Sequence, residues 1–338
     1  MASTQQARET PTDQLIASST TKDGSEPFLP VSGTEKKKLM TAADLIAKAE
    51  AQQRAEEIQK NPVLALIPEA PKVRMPEFSV ISCSVSDERF NQIEQAYKIA
   101  LSGEDYELIR ISDATGLCEG YNRGIRQARG RIFIFTHDDA APLRPIGSKL
   151  RAHLRHADIV GGAGSDRLDG PAWFTAGPPH CFGQVLNRVP GKDEWLLSVY
   201  GVPSALVQGI EAIDGFWMTC TREALEKNVY AFAYNGLVHE DQYFDESIRG
   251  FHMYDVDWSH RAFRQGLHVA VATDLSLAHA SVGGYGDPKW RPAADAWMQR
   301  YGSTLHEHQP HGFQITSITG RDVNDMLQVM DYFVEVTR

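Results

Sequence analysis

Apolar and polar positions first fall into a regular order at Phe78-Ser79-Val80-Ile81-Ser82-Cys83, which predicts a first strand. Helical apolar spacing follows over Arg89 to Leu101, then a second strand over Tyr106 to Ile111, a second helix over Gly120 to Ala128 and a third strand over Arg131 to Phe135. The order β-α-β-α-β is that of a doubly wound, mainly parallel α/β sheet with helices on its faces. From about Gly161 to Ser204 the period is lost, and the Gly, Pro and Trp content predicts long loops and short strands over a pocket. Ile210 to Cys220 then predicts a strand and His252 to Gln265 a helix. Strand pieces follow at His268 to Thr273 and Leu275 to Ala278, and helices near Pro292 to Tyr301 and Asp322 to Val334 close the chain.

Upstream, residues 1 to about 33 are polar and without period, a composition that cannot offset its ordering entropy, so a flexible tail is expected. Thr41 to Lys60 predicts a helix started by Thr41 and Asp44, with only a thin apolar face of Leu45, Ile46 and Ala49. A proline-bearing linker, Asn61 to Pro76, leads into the sheet. The expected division is therefore a flexible extension over residues 1–75, with a helix at 41–60, and a folded domain over 76–338.

The chain has 338 residues, 42% of them apolar, enough for a well-filled core. Its net charge of -10 and lack of a basic block exclude a partner bound through nucleic-acid phosphates. The four cysteines form no CxxC pair, which argues against structural zinc or a disulfide framework and for reduced thiols. No apolar run reaches the roughly 18 residues that cross a bilayer, and the N-terminus lacks the apolar centre of a signal peptide. A soluble, cytoplasmic protein is expected.

The chemistry gathers at Thr136-His137-Asp138-Asp139, directly after the third strand, where an open α/β sheet places its ligands. Neither GxGxxG nor GxxxxGK[ST] is present to hold phosphate. An acidic chain that binds a diphosphate then needs a divalent cation, with Asp139 and His279 as first candidates for ligands and Asp138 and His137 beside them. A turn and helix cap is the plain alternative for Asp138-Asp139. A second acidic pair, Asp255 and Asp257, opens a predicted helix, where carboxylates also serve as first-turn charges. Two residues apart they diverge by about 200°, so one can face a substrate while the other orients the helix.

Several stretches carry a family resemblance. Glu119-Gly120-Tyr121-Asn122-Arg123-Gly124-Ile125 to Ala128-Arg129-Gly130, followed by Phe133-Ile134-Phe135-Thr136-His137-Asp138-Asp139, resembles the nucleotide-sugar half of family 2 glycosyltransferases with a GT-A fold. Ile213-Asp214-Gly215-Phe216-Trp217-Met218, Phe244-Asp245-Glu246 to Tyr254-Asp255-Val256-Asp257, and His279-Ala280-Ser281-Val282-Gly283-Gly284 are similar to the acceptor half, in the same order. The closest likeness is to a bacterial subgroup with an HDD variant of the DxD motif, and it spans residues 77 to 285.

The resemblance implies a nucleotide-binding half at 76–140 and an acceptor and catalytic half at 205–285. It implies Asp139 and His279 as ligands of Mn²⁺ or Mg²⁺ and Asp255 as the base. It places Asp113 at the nucleobase, with Ser82, Ser84 and Arg89 lining the same pocket, and it implies a nucleotide-sugar donor, a UDP-sugar first. The acceptor would be a carbohydrate, a lipid-linked saccharide or a protein. His137 replaces the usual first Asp of the metal motif, and Tyr254 the Glu before the base, with Asp257 as the substitute base.

The remaining candidates each have two readings. Asn122 and Arg126 contact donor phosphate or ribose, or are solvated on a helix face. Asp214 and Gly215 bind an acceptor hydroxyl, or form a bulge or turn. Trp173, Trp195 and Trp217 stack on sugar rings or fill the core. Gly283-Gly284 with Tyr285 form a loop over the donor or a simple turn, and His306, His308 and His311 read as a solvated loop. An inverting glycosyltransferase is the expected function. The rivals are a nucleotidyltransferase, disfavoured because Ser82 to Arg89 lacks glycine, and a non-catalytic sugar-binding protein with a decayed metal site.

Overall fold

A computed structural model describes residues 42–61, 75–234, 237–281, 288–309 and 315–337, and the chain divides into two units, 1–72 and 73–338. In the first unit, α1 (Ala42–Lys60) is a helix whose described side chains are exposed apart from Arg54. The expected tail and most of the linker, residues 62–74, lie outside the described residues, as does Thr41.

The second unit begins as the apolar pattern predicts. Strand β1 (Phe78–Cys83) is followed by α2 (Asp87–Ala100), β2 (Tyr106–Ile111), α3 (Leu117–Gln127) and β3 (Ile132–Thr136). Ser86 starts α2 by accepting the Arg89 N–H, with Asp87 and Glu88 in the first turn, where acids suit the helix dipole. β1 pairs in parallel with β2 on one side and β3 on the other, giving the order β2-β1-β3. The sheet continues antiparallel to β11 (Trp217–Thr221), then through β5 (Ile159–Gly161), β14 (Val269–Val271) and β9 (Val207–Gln208). It is mixed, with its run of parallel neighbours in the β2-β1-β3 half.

Alternation along β3 builds two apolar layers. Ile132 and Ile134 face Tyr97 of α2, and Phe133 and Phe135 face Tyr121 of α3 and Trp258 of α6 (Tyr254–Arg264). Each such large side chain, fully buried, contributes roughly 1.5–3 kcal/mol. The glycines of α3 have a packing reason: a Cβ on Gly120 would lie 2.4 Å from Cys83 Sγ, and one on Gly124 would lie 2.3 Å from Ile81 Cγ2. The helix can reach β1 only with nothing there.

Two expectations change. The stretch 161–204 is not chiefly loop: it holds β6 (Ala163–Ser165) and the hairpin of β7 (Cys181–Arg188) and β8 (Trp195–Tyr200). With β4 (Ala140–Pro142), β10 (Ala212–Ile213), β15 (Leu277–His279) and β16 (Thr316–Gly320) they form a second, seven-stranded sheet. Most of β7 is buried, so it shows no apolar alternation to read. The expected strand Ile210 to Cys220 is two strands, because Asp214 Oδ1 accepts the Phe216 N–H and turns the chain between β10 and β11. At the C-terminus α7 (Trp290–Tyr301) precedes β16, and α8 (Val323–Glu335), capped by Asp322, covers one face of the second sheet.

Candidate active site

The two sheets meet where β3 ends. After Thr136 the chain turns through His137, Asp138 and Asp139 into β4, which pairs antiparallel with β15 so that Ala140 lies opposite His279. The Ala280 N–H donates to the Asp139 carbonyl at 2.8 Å. Residues 140 positions apart in sequence are thereby held side by side by backbone pairing. Asp139 Oδ1 sits 3.3 Å from His279 Nε2, and the ligand atoms of His137, Asp139 and His279 all lie within 4.8 Å of one another.

The imidazoles are held by neighbours. His137 Nε2 lies 2.6 Å from the Tyr254 hydroxyl, the ring of His279 stacks on Phe216 with centroids 5.1 Å apart, and Ser281 Oγ lies 3.0 Å from His279 Nε2. Burial pushes His137 down to about 4, and the imidazoles hold Asp139 at about 2 against the opposing effect of its own burial. Near pH 7 His137 is neutral and Asp139 ionised, the forms in which both bind metals. One carboxylate and two imidazoles fit a first-row transition ion better than the oxygen-seeking Mg²⁺.

On the other side of this trio, β11 runs antiparallel to β3, which places Asp214-Gly215-Phe216 beside it; the His137 N–H donates to the Phe216 carbonyl. Gly215 packs under the start of α6, where a Cβ would be 2.0 Å from the Tyr254 hydroxyl. That approach lets the Gly215 N–H donate to Asp255 Oδ2 at 2.8 Å. The residue before α6, Met253, has φ of 65°, a left-handed conformation uncommon outside glycine and costly by about 1–3 kcal/mol, and it introduces Tyr254 and Asp255 into the site. Burial, then the nearby Asp214 carboxylate, raises Asp255 from 3.8 to about 7. Asp214 itself accepts the Trp173 indole N–H at 2.9 Å.

Two cavities share His137. The larger, about 710 Å³, is lined by His137, Asp214, Asp255 and His279 among others. The smaller, about 310 Å³, lies at the carboxyl ends of β1 and β3, the switch point of the β2-β1-β3 order. Ser84, Arg89, Asp138 and Asp139 line it, with Asp138 accepting Ser84 Oγ at 2.9 Å and lying 3.4 Å from Arg89.

Other candidates are placed elsewhere. Asn122 is fully buried and its amide is saturated: it donates to the Phe244 carbonyl and Glu246, and accepts the Tyr243 and Phe244 N–H groups. It straps residues 243–246 to α3 and has no bond left for a donor. Arg126 is exposed in the last turn of α3, away from the sheet edge where that helix starts. Trp217 is fully buried and donates to the Tyr97 hydroxyl, so it is core. Asp257, on the opposite side of α6 from Asp255, is buried against Arg261 at 3.0 Å and Arg300 at 3.3 Å, which removes it as a substitute base. Ser82 lies buried beneath the smaller cavity, and Asp113 is exposed and ion-paired to Arg123 at 2.6 Å.

Trp195 stacks under Arg188 outside the site, whereas Trp173 lines the larger cavity. His306 and His308 are not simply solvated: they pair with the buried carboxylates of Glu211 and Asp169 at 2.8 and 3.1 Å. His311 and the Gly283-Gly284-Tyr285 loop lie outside the described residues. The sequence reading missed Tyr254, Ser281 and Phe216 as supports of the imidazoles. Tyr254 stood out only as a departure from the family pattern, and that departure was the available signal.

An α/β fold thus brings the trio of His137, Asp139 and His279 and the raised carboxyl of Asp255 to two cavities that share His137. The family model described as "Glycosyltransferase like family" matches residues 79–282, and the chain belongs to that family. It is therefore a glycosyltransferase by class. No curated protein matches the chain in sequence. Among solved structures, the mannosyltransferase PcManGT from Pyrobaculum calidifontis, in complex with GDP-Man and Mn²⁺, aligns with a TM-score of 0.35 at 12% identity. The alignment covers 86% of this chain and 80% of that one. S. aureus TarS 1-349, in complex with UDP-GlcNAc, gives 0.33 at 12% identity over 62% of this chain and 59% of its own. Among the described residues, no helix is long and apolar enough to cross a membrane.

Proposed function

We propose that this enzyme moves a sugar from a nucleotide diphosphate donor to an acceptor hydroxyl with inversion at the anomeric carbon, aided by a divalent cation. The observation that supports it most is a carboxyl poised near neutrality, Asp255, in the same cavity as two of the three groups of a metal-ready trio. The donor nucleotide lies in the smaller cavity, lined by residues of 76–140 together with Phe251 and Ser281, and a UDP-sugar is the first candidate. Residues 205–285 supply the catalytic half. The four free cysteines accord with a cytoplasmic site of action.

Asp255 removes the proton from the acceptor hydroxyl as its oxygen bonds to the anomeric carbon, and the bond from that carbon to the diphosphate oxygen breaks on the opposite face. Gly215 N–H holds the carboxylate in place, and the Asp214 charge keeps it basic. Asp139 and His279, with His137, would hold Mn²⁺, which supplies positive charge to the departing diphosphate. Arg89 is positioned to exchange Asp138 for the same diphosphate.

Asp255→Asn should lower sugar transfer by roughly 10²–10⁴-fold while Mn²⁺-dependent binding of the nucleotide diphosphate persists. Donor turnover with and without acceptor measures it. Transfer at the parent rate would remove Asp255 from its role.

A further inference from the structure

The larger cavity extends well past the groups that carry the proposed reaction. Its floor is the side of the second sheet turned away from α8, a surface in residues 181–200 and 315–317 that lies outside the expected acceptor half. Strand register builds that floor. Val185 pairs with Ser198 and Ser198 with Ser317, while Asn187 pairs with Leu196, so these side chains share one face and line the cavity. The alternate residues Leu186, Leu197 and Val199 turn the other way and pack on Met326, Leu327 and Met330 of α8. The rim is aromatic, with Trp173 and Phe174 on one side, Trp290 from the start of α7 and Phe251, which is 53% exposed.

The charge pattern of this cavity is one-sided. Among its described lining residues the formal charges are the Asp214 and Asp255 carboxylates, with imidazoles beside them and neither Lys nor Arg. The smaller cavity, by contrast, has Arg89. An anionic ligand on the sheet floor would face the Asp214 carboxylate, and Asp255 once it ionises, with no guanidinium or ammonium among the described lining residues to offset them. An uncharged sugar meets a different surface. Among the described residues Asn187 is held by 3.3 Å contacts to the Val185 carbonyl and Ser198, and Ser317 is exposed, so polar groups line the floor for hydroxyls while the aromatic rim suits the apolar face of a pyranose.

We infer that this sheet face is the acceptor seat and that it takes an uncharged saccharide, contacted through Asn187, Ser198, Ser317 and the Trp290 ring. Acceptors whose reacting end carries phosphate or carboxylate are excluded. The inference rests on the glycosyltransferase reading and narrows it: of the expected acceptor classes, a saccharide whose reacting unit lies next to a lipid phosphate is the poorest fit.

Saturation-transfer NMR on the full chain tests the seat with methyl hexopyranosides of several configurations, their uronates and their 6-phosphates. At least one neutral hexoside should bind about ten-fold more tightly than its two anionic forms, a difference of ~1.4 kcal/mol. Trp290→Ala should weaken that binding, and Ser317→Lys, on an exposed strand position, should narrow the gap by admitting the anions. Equal or tighter binding of the anionic forms, no binding of any neutral hexoside, or an unchanged gap in Ser317→Lys would overturn the assignment. Thermal stabilisation by UDP or GDP with Mn²⁺, measured in parallel, separates the two claims. If stabilisation persists, only the acceptor seat falls; if it is absent, the donor reading falls independently of the seat.

Discussion

Asp255 holds its proton more tightly in the folded protein than in the unfolded chain, because burial and Asp214 both penalise its charge. The stability that goes with this is fully present below the unfolded pKa of 3.8 and is lost as pH rises through about 7. A base at this position would thus cost the fold at the pH where it works. Asp255→Asn should raise the thermal midpoint at pH 8 by roughly 3–8 °C, and by less at pH 5. Scanning calorimetry without donor reads both, and a lower midpoint at pH 8 would contradict the burial argument. The same shift sets the activity profile. Transfer should climb as pH passes about 7, when Asp255 ionises, and Asp214→Asn, which removes the repelling charge, should move that climb to lower pH. A climb that stays put or moves upward would show that Asp214 does not act on the base.

At the scale of elements, the site depends on how closely helices approach strands. Gly120 and Gly124 let α3 lie against β1, and Gly215 lets α6 approach the β10–β11 turn. Gly124→Ala drives a methyl into Ile81 at 2.3 Å and should cost about 1–3 kcal/mol in urea unfolding; an unchanged midpoint would mean that the helix shifts freely. The strands and helices of the first half were legible because each carries a plain pattern: β3 an almost wholly apolar run, β1 a short apolar stretch interrupted by two serines, α2 its helical spacing. The second sheet was not. β7 buries both faces and so reads as featureless, and β4, β6 and β15 are three residues long, too short for any period to appear. The Asp214 turn was legible only as one of two readings of Asp214-Gly215, because apolar residues of strand character lie on both sides of it.

Across the whole molecule, the site exists because one short antiparallel pairing, β4 with β15, joins the end of the first sheet to the end of the chain's last core strand. Residue types marked the candidates: His137, Asp139, Asp255 and His279 stood out as carboxylates and imidazoles at strand and helix ends. Their neighbours did not, since Asn122, Trp217 and Asp257 have the same composition cues and differ only in being saturated or buried by contacts from distant segments. Isothermal titration of Mn²⁺ in the presence of UDP tests the convergence directly, comparing the parent chain with His279→Ala and Asp255→Asn. The geometry predicts that His279→Ala weakens Mn²⁺ by ~10-fold or more while Asp255→Asn binds as the parent does. Parent-like Mn²⁺ affinity in His279→Ala would contradict it.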